Sequence, residues 1–409
     1  MRHGLWRDCM LTIDRIKDAA NTLENVALHT ELIHSPVFSE ESGNQVYLKP
    51  ENLQLTGAFK LRGAYFKMAN LNDAEKACGV ISSSAGNHAQ GVALAAQKLG
   101  MKATIVMPKN TPLIKVEATR RYGADVVLAG DFYDEAYAEA RRLEKEKGHV
   151  FIHPFDDEDV MAGQGTIGLE ILQDLEHVDA ILVPIGGGGL IAGIVTAVKA
   201  LRPEVKVIGV EPEGACAMKK SLEAGRIVPM KKVDTIADGV AVKNPGVKTF
   251  EIIRNLVDDI ITVPDSGLME SFLLLLERHK LVAENSGVLA LAALHALGAK
   301  GWNVVPVVSG GNIDVVTMSA MIDNGLVRRG RICCFSVDLP DEPGQLLAVS
   351  KILSDENANI IKLDHNQFKS LDRLKEVQLE VTVETNGHAH VDRILGALES
   401  HGYPVNRVY

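Results

Sequence analysis

The chain has 409 residues, 46% hydrophobic but only 5% aromatic, with 36 glycines; it is too long for one core and too aliphatic for a β-sandwich or a disordered regulator, so two or three units of α/β enzyme type are expected. A formal net charge of -10 without any dense Lys/Arg stripe excludes counterion-release binding to DNA or RNA and leaves small solutes as partners. Five scattered cysteines without CxxC spacing give neither a disulfide framework nor a zinc site, which fits a reducing cytoplasm.

The opening MRHGLWRDCM, with Cys9, is charged and has no apolar core of export-signal length behind it. Met10 offers an alternative start that would make the first nine residues dispensable. Amphipathic spacing follows over residues 13–23. From Val46 onward, short β-branched runs alternate with helical periodicity, the pattern of βα units around parallel sheets. Strands are predicted over 79–83, 103–107, 125–128, 180–185, 206–211 and 304–309, with helices between them. Pro108 and Pro112 mark a strand exit and the first turn of the next helix, where a missing donor costs least. The most apolar stretch, 268–276, is interrupted by Glu270 and is far short of the ~20 residues of a membrane helix.

Within this frame lie a lysine and three glycine-rich corners. TGAFKLRG (56–63) sets Lys60 between Phe59 and Leu61. Burial there would lower the amine's pKa and free it to attack a carbonyl, although an exposed lysine at a helix start fits the local sequence as well. SSSAGNHAQG (82–91) follows a strand and opens a helix over 87–98, so the backbone from Ser84 through Ala85, Gly86, Asn87 and His88 is a candidate cradle for a carboxylate. Asn87 could also donate to a cofactor oxygen, while Ser83 or Ser84 could simply cap the helix. PIGGGGLIAG (184–193) has four consecutive glycines after a strand, a cup in which Gly186, Gly187, Gly188, Gly189 and Leu190 would wrap a phosphate. The same run fits the looser dinucleotide pattern through Gly187, Gly189 and Ala192, with Glu211 about twenty residues on. VSGGN (308–312) ends another strand at the same sheet edge and directs Ser309 into the crevice, where it could bond a pyridine nitrogen or serve only as a turn serine.

Around Arg328 the pattern changes. A strand over 331–339, a helix over 344–355, strands over 359–366 and 376–384, a helix over 389–400 and a last strand over 405–409 give the order βαββαβ. That is a separate antiparallel α+β unit of roughly eighty residues. The expected domains are 12–330, with a smaller lobe at about 57–155, and 331–409.

These residues, in this order, resemble the fold-type II pyridoxal-phosphate family, and within it the threonine dehydratases (threonine ammonia-lyases). The resemblance implies two open α/β lobes, pyridoxal 5'-phosphate bound covalently to Lys60 beside Phe59, Asn87 at the ring hydroxyl, the glycine cup on the phosphate and Ser309 at the ring nitrogen. It also implies a ring-flanking loop in TIADGVAV (235–242), with Gly239 as a backbone contact. The C-terminal part resembles an ACT domain through Asp341, Pro343, Gly344 and Leu346. That implies an amino-acid effector near Gly344, Gln345, Asn359 and Ile360, and a homodimer or homotetramer. Three departures stand out: Ala58 replaces a common serine, Ala85 replaces the serine acid of eukaryotic-type serine racemases, and Ala217 replaces one carboxylate of their divalent-cation site, leaving Glu211 beside Cys216. No metal is expected.

The implied chemistry is dehydration and deamination of threonine to 2-oxobutanoate and ammonia, and of serine to pyruvate, with Lys60 as general base. The rivals are a β-replacement synthase of the same fold, a nicotinamide dehydrogenase, and an amino-acid sensor whose lyase part has decayed. Biosynthetic or catabolic role, substrate preference and the sign of regulation are not legible in the sequence.

Overall fold

The computed structural model describes residues 11–366 and 376–409, so the expectations for Cys9 and Met10 lie outside the described residues. The chain divides after Val315 into two compact units. The first unit contains β1 (Ile33–His34), β2 (Gln45–Pro50), β3 (Val80–Ser83), β4 (Ala103–Met107), β5 (Asp125–Leu128), β6 (Val150–Phe151), β7 (Ala180–Pro184), β8 (Lys206–Pro212), β9 (Asp259–Val263) and β10 (Asn303–Val308). These form a six-stranded sheet ordered β1-β2-β10-β7-β8-β9 and a four-stranded sheet ordered β5-β4-β3-β6. Every pairing is parallel except that of β1 with β2. Every residue of β4 and β7 is buried, which explains why these strands read as continuous apolar runs rather than alternating ones.

The predicted strands are found with trimmed ends. Gly79 drops out because it closes the helix Asp73–Cys78 at φ 80°. Ile185 and Ser309 pass into the corners that follow their strands, and Pro112 caps the helix Leu113–Arg120 from outside instead of sitting in its first turn. The sequence reading did not delimit β1, β2, β6 or β9; β1 and β6 are two residues long, below any readable period. The apolar stretch near 268–276 folds as a helix, Asp265–Leu274, that widens into a π-helical turn at Leu275–His279. No helix among the described residues is long and apolar enough to cross a membrane.

Three helices lock the two sheets' corners together by close glycine contacts. A Cβ on Gly163, in the helix Glu158–Asp174, would lie 2.5 Å from Arg62 O, and one on Gly193, in the helix Gly189–Leu201, would lie 2.6 Å from Gly165 N. The helix Lys60–Ala69 is thereby held against the other two, and Arg62 adds an electrostatic anchor. This fully buried guanidinium donates to both Glu51 oxygens at 2.8 Å and to Glu170 at 2.5 and 3.0 Å, while buried Lys49 reaches Glu170 at 2.5 Å. Such a network suits Arg, whose planar fork satisfies two carboxylates at once.

The second unit holds β11 (Ile332–Pro340), β12 (Asn359–Asn366), β13 (Glu376–Glu384) and β14 (Val405–Arg407), with helices Gln345–Asp355 and His388–Ser400. The sheet is antiparallel, ordered β12-β13-β11-β14, and the chain order is βαββαβ as expected. Cys333, Phe335, Val337 and Leu339 alternate onto one face of β11, where they meet Val349, Ile352, Val391 and Ile394 of the two helices. Both helices therefore cover the same face.

Candidate active site

Four corners meet at the C-terminal ends of parallel strands, where ligands of open α/β sheets bind. The corner carrying Lys60 is zipped to the corner after β10: Ala58 bridges Gly310, Phe59 N donates to Ser309 O at 3.2 Å, and Gly311 N donates to Gly57 O at 2.8 Å. Lys60 opens its helix directly after this clasp, half-buried, and Nζ donates to Pro154 O at 2.8 Å. Burial brings its pKa down to about 8, with the Glu284 carboxylate pulling in the opposite direction. The lowered pKa leaves a far larger neutral fraction at physiological pH than an ordinary lysine has, which favours nucleophilic and base chemistry.

The helix Asn87–Leu99 starts after β3 with Gly86 as its cap, and neither Ser83 nor Ser84 caps it. Ser84 Oγ instead accepts from Gly86 N at 3.3 Å, which leaves the first-turn amides of Asn87 and His88 without helical partners. Ala85 presents no side-chain donor. The His88 ring is buried and Nε2 donates to Ile152 O at 3.0 Å, so only its backbone faces an anion; burial and the Lys60 charge hold the imidazole neutral, at about 3. Asn87 Nδ2 donates to Glu284 at 2.6 Å and its Oδ1 accepts from Asn312 Nδ2 at 2.7 Å.

After β7 the run Gly186, Gly187, Gly188, Gly189 and Leu190 turns into the helix Gly189–Leu201. Gly188 sits at φ 96° and only glycine fits there readily. A Cβ on Gly187 would overlap the Phe155 ring, and one on Gly189 would lie 2.8 Å from Phe155 O. Bare backbone is therefore obligatory, and the open amides of a helix start have the polarity to receive a phosphate. Ser309 is buried, with Oγ 3.5 Å from Ser286 O. Gly239 N donates to Ser286 Oγ at 2.8 Å, so its amide is committed to the protein and its carbonyl lies beside Gly186.

The family described as "Pyridoxal-phosphate dependent enzyme" matches residues 24–310, a span that holds three of the corners and reaches Gly310 of the fourth. This chain belongs to that family. The L-threonine ammonia-lyase of Thermotoga maritima is 46% identical over 98% of this chain and its own full length. The processed form of threonine deaminase isoform 2 from Solanum lycopersicum superposes with a TM-score of 0.74 at 41% identity, over 77% of this chain and 88% of that one. Maize serine racemase gives 0.73 at 34%, over 78% and 99%. The architecture is that of the family's α/β enzymes, and pyridoxal phosphate is the cofactor that the family requires.

Two parts of this pyridoxal-phosphate enzyme's site escaped the sequence reading. Residues 153–156 join the lysine corner to the glycine run: His153 Nδ1 accepts from Asp156 N at 2.8 Å, Pro154 O holds Lys60, Phe155 fills the space over Gly187, and Asp156 accepts from Lys248 N at 2.9 Å at the start of the helix Val247–Leu256. A His-Pro-aromatic-Asp run between a strand and a helix was the available signal. Glu284 is the second, half-buried, with a carboxyl that burial raises to about 7 and that the Asn87 hydrogen bond pulls back. Nothing local distinguishes that glutamate from a surface one.

Glu211 is buried, and its two oxygens accept from Met218 N and Lys219 N at 2.9 Å, the start of the helix Ala217–Glu223. The acidic residue of the dinucleotide pattern is thus committed to capping a helix. Among the described residues there is no group of three or more His, Cys, Asp or Glu side chains poised to hold a metal ion.

In the second unit Gly344, at φ 98°, caps the helix Gln345–Asp355, and Gln345 Oε1 accepts from Tyr403 OH at 3.1 Å. Asn359 and Ile360 open β12 beyond the other end of that helix, with Asn359 Nδ2 donating to Glu384 at 3.2 Å. Eleven helical residues, about 16 Å, separate the two pairs, so within one chain they do not form one site.

Proposed function

We propose that this enzyme eliminates water from L-threonine to release an enamine, which tautomerises to an imine and takes up water to give 2-oxobutanoate and ammonia, and that it acts on L-serine in the same way to give pyruvate. The observation that carries the reading is a Lys60 amine of lowered pKa placed where a glycine-lined helix start, a second anion-binding helix start and a buried serine hydroxyl converge. Similarity to an L-threonine ammonia-lyase over 98% of the chain supports the substrate class.

Pyridoxal phosphate, when bound, supplies a conjugated ring that takes up the electron pair left on the substrate Cα. The amides of Gly186, Gly187, Gly188, Gly189 and Leu190 would hold its phosphate, Phe59 and Gly239 would flank it, and Asn87 would donate to its ring hydroxyl. Ser309 would bond the ring nitrogen without protonating it, where a carboxylate would favour the protonated ring. The backbone from Ser84 to His88 holds the substrate carboxylate, orienting the Cα proton toward Lys60. Lys60 holds the cofactor covalently and, once free, takes that proton onto Nζ. Ala85 carries no acid for the opposite face of Cα, which sets the reaction toward elimination instead of racemisation.

The C-terminal unit is proposed as an ACT-type effector domain, supported by its βαββαβ order and by the turn at Asp341, Pro343 and Gly344. Its effector is an amino acid held where copies of the chain pair, with Gly344 and Gln345 of one copy and Asn359 and Ile360 of another, in a cytoplasmic homodimer or homotetramer. The function is tested by incubating purified protein with threonine and with serine, with and without sulfide. 2-Oxobutanoate and pyruvate formation unaffected by sulfide is expected; a sulfur-containing amino acid as the main product would make the protein a β-replacement synthase.

A further inference from the structure

Glu284 lies 197 residues from Asn87 in sequence, yet its Oε1 accepts from Asn87 Nδ2 at 2.6 Å. The loop around it is pinned by the same corners: Glu284 N donates to Gly310 O at 3.0 Å, and Gly287 N donates back to Glu284 O at 2.8 Å. Gly310 makes room for the carboxylate: a Cβ there would lie 2.7 Å from Oε1. The absence of a side chain at that corner thus has a partner inside the protein. Asn87 is fixed at both ends, since Asn312 donates to its Oδ1 at 2.7 Å. Its amide orientation is thereby set: the nitrogen points toward Glu284, and one of its two N–H groups is left over.

Resting on the reading that the cofactor ring lies between Asn87 and Ser309, we propose that Glu284 is a positioning residue: it orients the Asn87 amide so that the remaining N–H serves the cofactor, and it places a negative charge in the site that holds Lys60. The charged groups around the carboxyl are Lys115 of the helix Leu113–Arg120, Asp238 of the turn Asp238–Val240 and Lys60 itself. Burial raises the carboxyl to about 7, with Asn87, Lys115 and Lys60 favouring the charged form and Asp238 opposing it. Above that pH the carboxylate attracts the Lys60 proton, so removing its charge makes the amine neutral at lower pH.

The test uses the full-length protein stripped of cofactor. Pyridoxal phosphate is added across a pH series, the adduct is fixed with borohydride, and peptide mass spectrometry locates and quantifies it. Wild-type protein should label Lys60 with a midpoint near pH 8. Glu284→Gln should move that midpoint down by roughly one unit. Glu284→Asp keeps the charge but retracts it from Asn87, so the midpoint should stay while cofactor affinity falls on the order of tenfold. Identical midpoints in wild type and Glu284→Gln overturn the inference. If Glu284→Gln fails to fold by circular dichroism, unchanged cofactor affinity in Glu284→Asp overturns it instead. Wild-type label away from Lys60 would break the underlying reading of the site, a result distinct from either.

Discussion

Lys60 is separated by only two positions from a second cation, Arg62, and the two illustrate opposite uses of burial. Lys60 is left with a backbone carbonyl as its hydrogen-bond partner, so its charge is destabilised and its pKa falls from 10.5 to about 8. An amine-directed reagent should therefore modify Lys60 in the cofactor-free protein with a midpoint near pH 8; a midpoint above 10 would show a solvated amine. Arg62 is compensated by Glu51 and Glu170, and its charged form is reinforced. Arg62→Met should leave Glu51 as an unpaired buried charge and cost about 3–5 kcal/mol in urea denaturation; a loss below 1 kcal/mol would show that the pair is not structural. At this scale the residues legible in the sequence are those that announce themselves locally, as glycine runs and polar corners after strands. Glu284 and Pro154 were illegible because what defines them is a partner 197 or 94 residues away. Ser83 and Ser84 were read as alternative caps because their type fits, but the cap position falls on Gly86, three residues after the first and two after the second, and no side chain caps the helix.

Among the elements, the packing of the helices Lys60–Ala69, Glu158–Asp174 and Gly189–Leu201 decides whether lysine and phosphate cradle stay in register. A methyl at Gly193 would run into the Met161 carbonyl and Gly165 N. Backbone cannot swing away as a side chain can, so Gly193→Ala should cost about 1–3 kcal/mol and weaken cofactor retention with it. Thermal denaturation with and without pyridoxal phosphate checks this, and an unchanged midpoint in both would show that the helices separate freely. Gly187→Ala confronts a side chain, the Phe155 ring, next to the cradle. It should reduce cofactor affinity more than it reduces the stability of the cofactor-free protein, as equilibrium dialysis and urea titration together would read. Strands such as β4 and β7 were legible because burial on both faces makes them apolar throughout. β9, with exposed Asp259 and partly exposed Ile261 and Thr262, is a sheet edge whose mixed character hid it.

For the whole molecule, the sequence indicated a parallel-sheet enzyme followed by an antiparallel α+β unit; the βαββαβ order of the second is as read, while the first carries four strands beyond the six expected. The second core is assembled from elements contiguous along the chain, among them Phe335, Val381 and Ile394, whereas the large core of the first unit joins Leu11 to Phe66 with Met161 to Val307 across the segment that builds the smaller sheet. How copies of the chain pair is set by surfaces and not by periodicity, and so is absent from the sequence pattern. Equilibrium dialysis of full-length protein with isoleucine and with valine should show saturable binding of at least one, abolished by Gly344→Asp; absence of binding would leave the second unit as an assembly module. The account as a whole rests on one covalent attachment. Borohydride reduction of the holoenzyme followed by peptide mass spectrometry should place the pyridoxyl group on Lys60 alone; a modified lysine elsewhere, or no modified peptide, would contradict it.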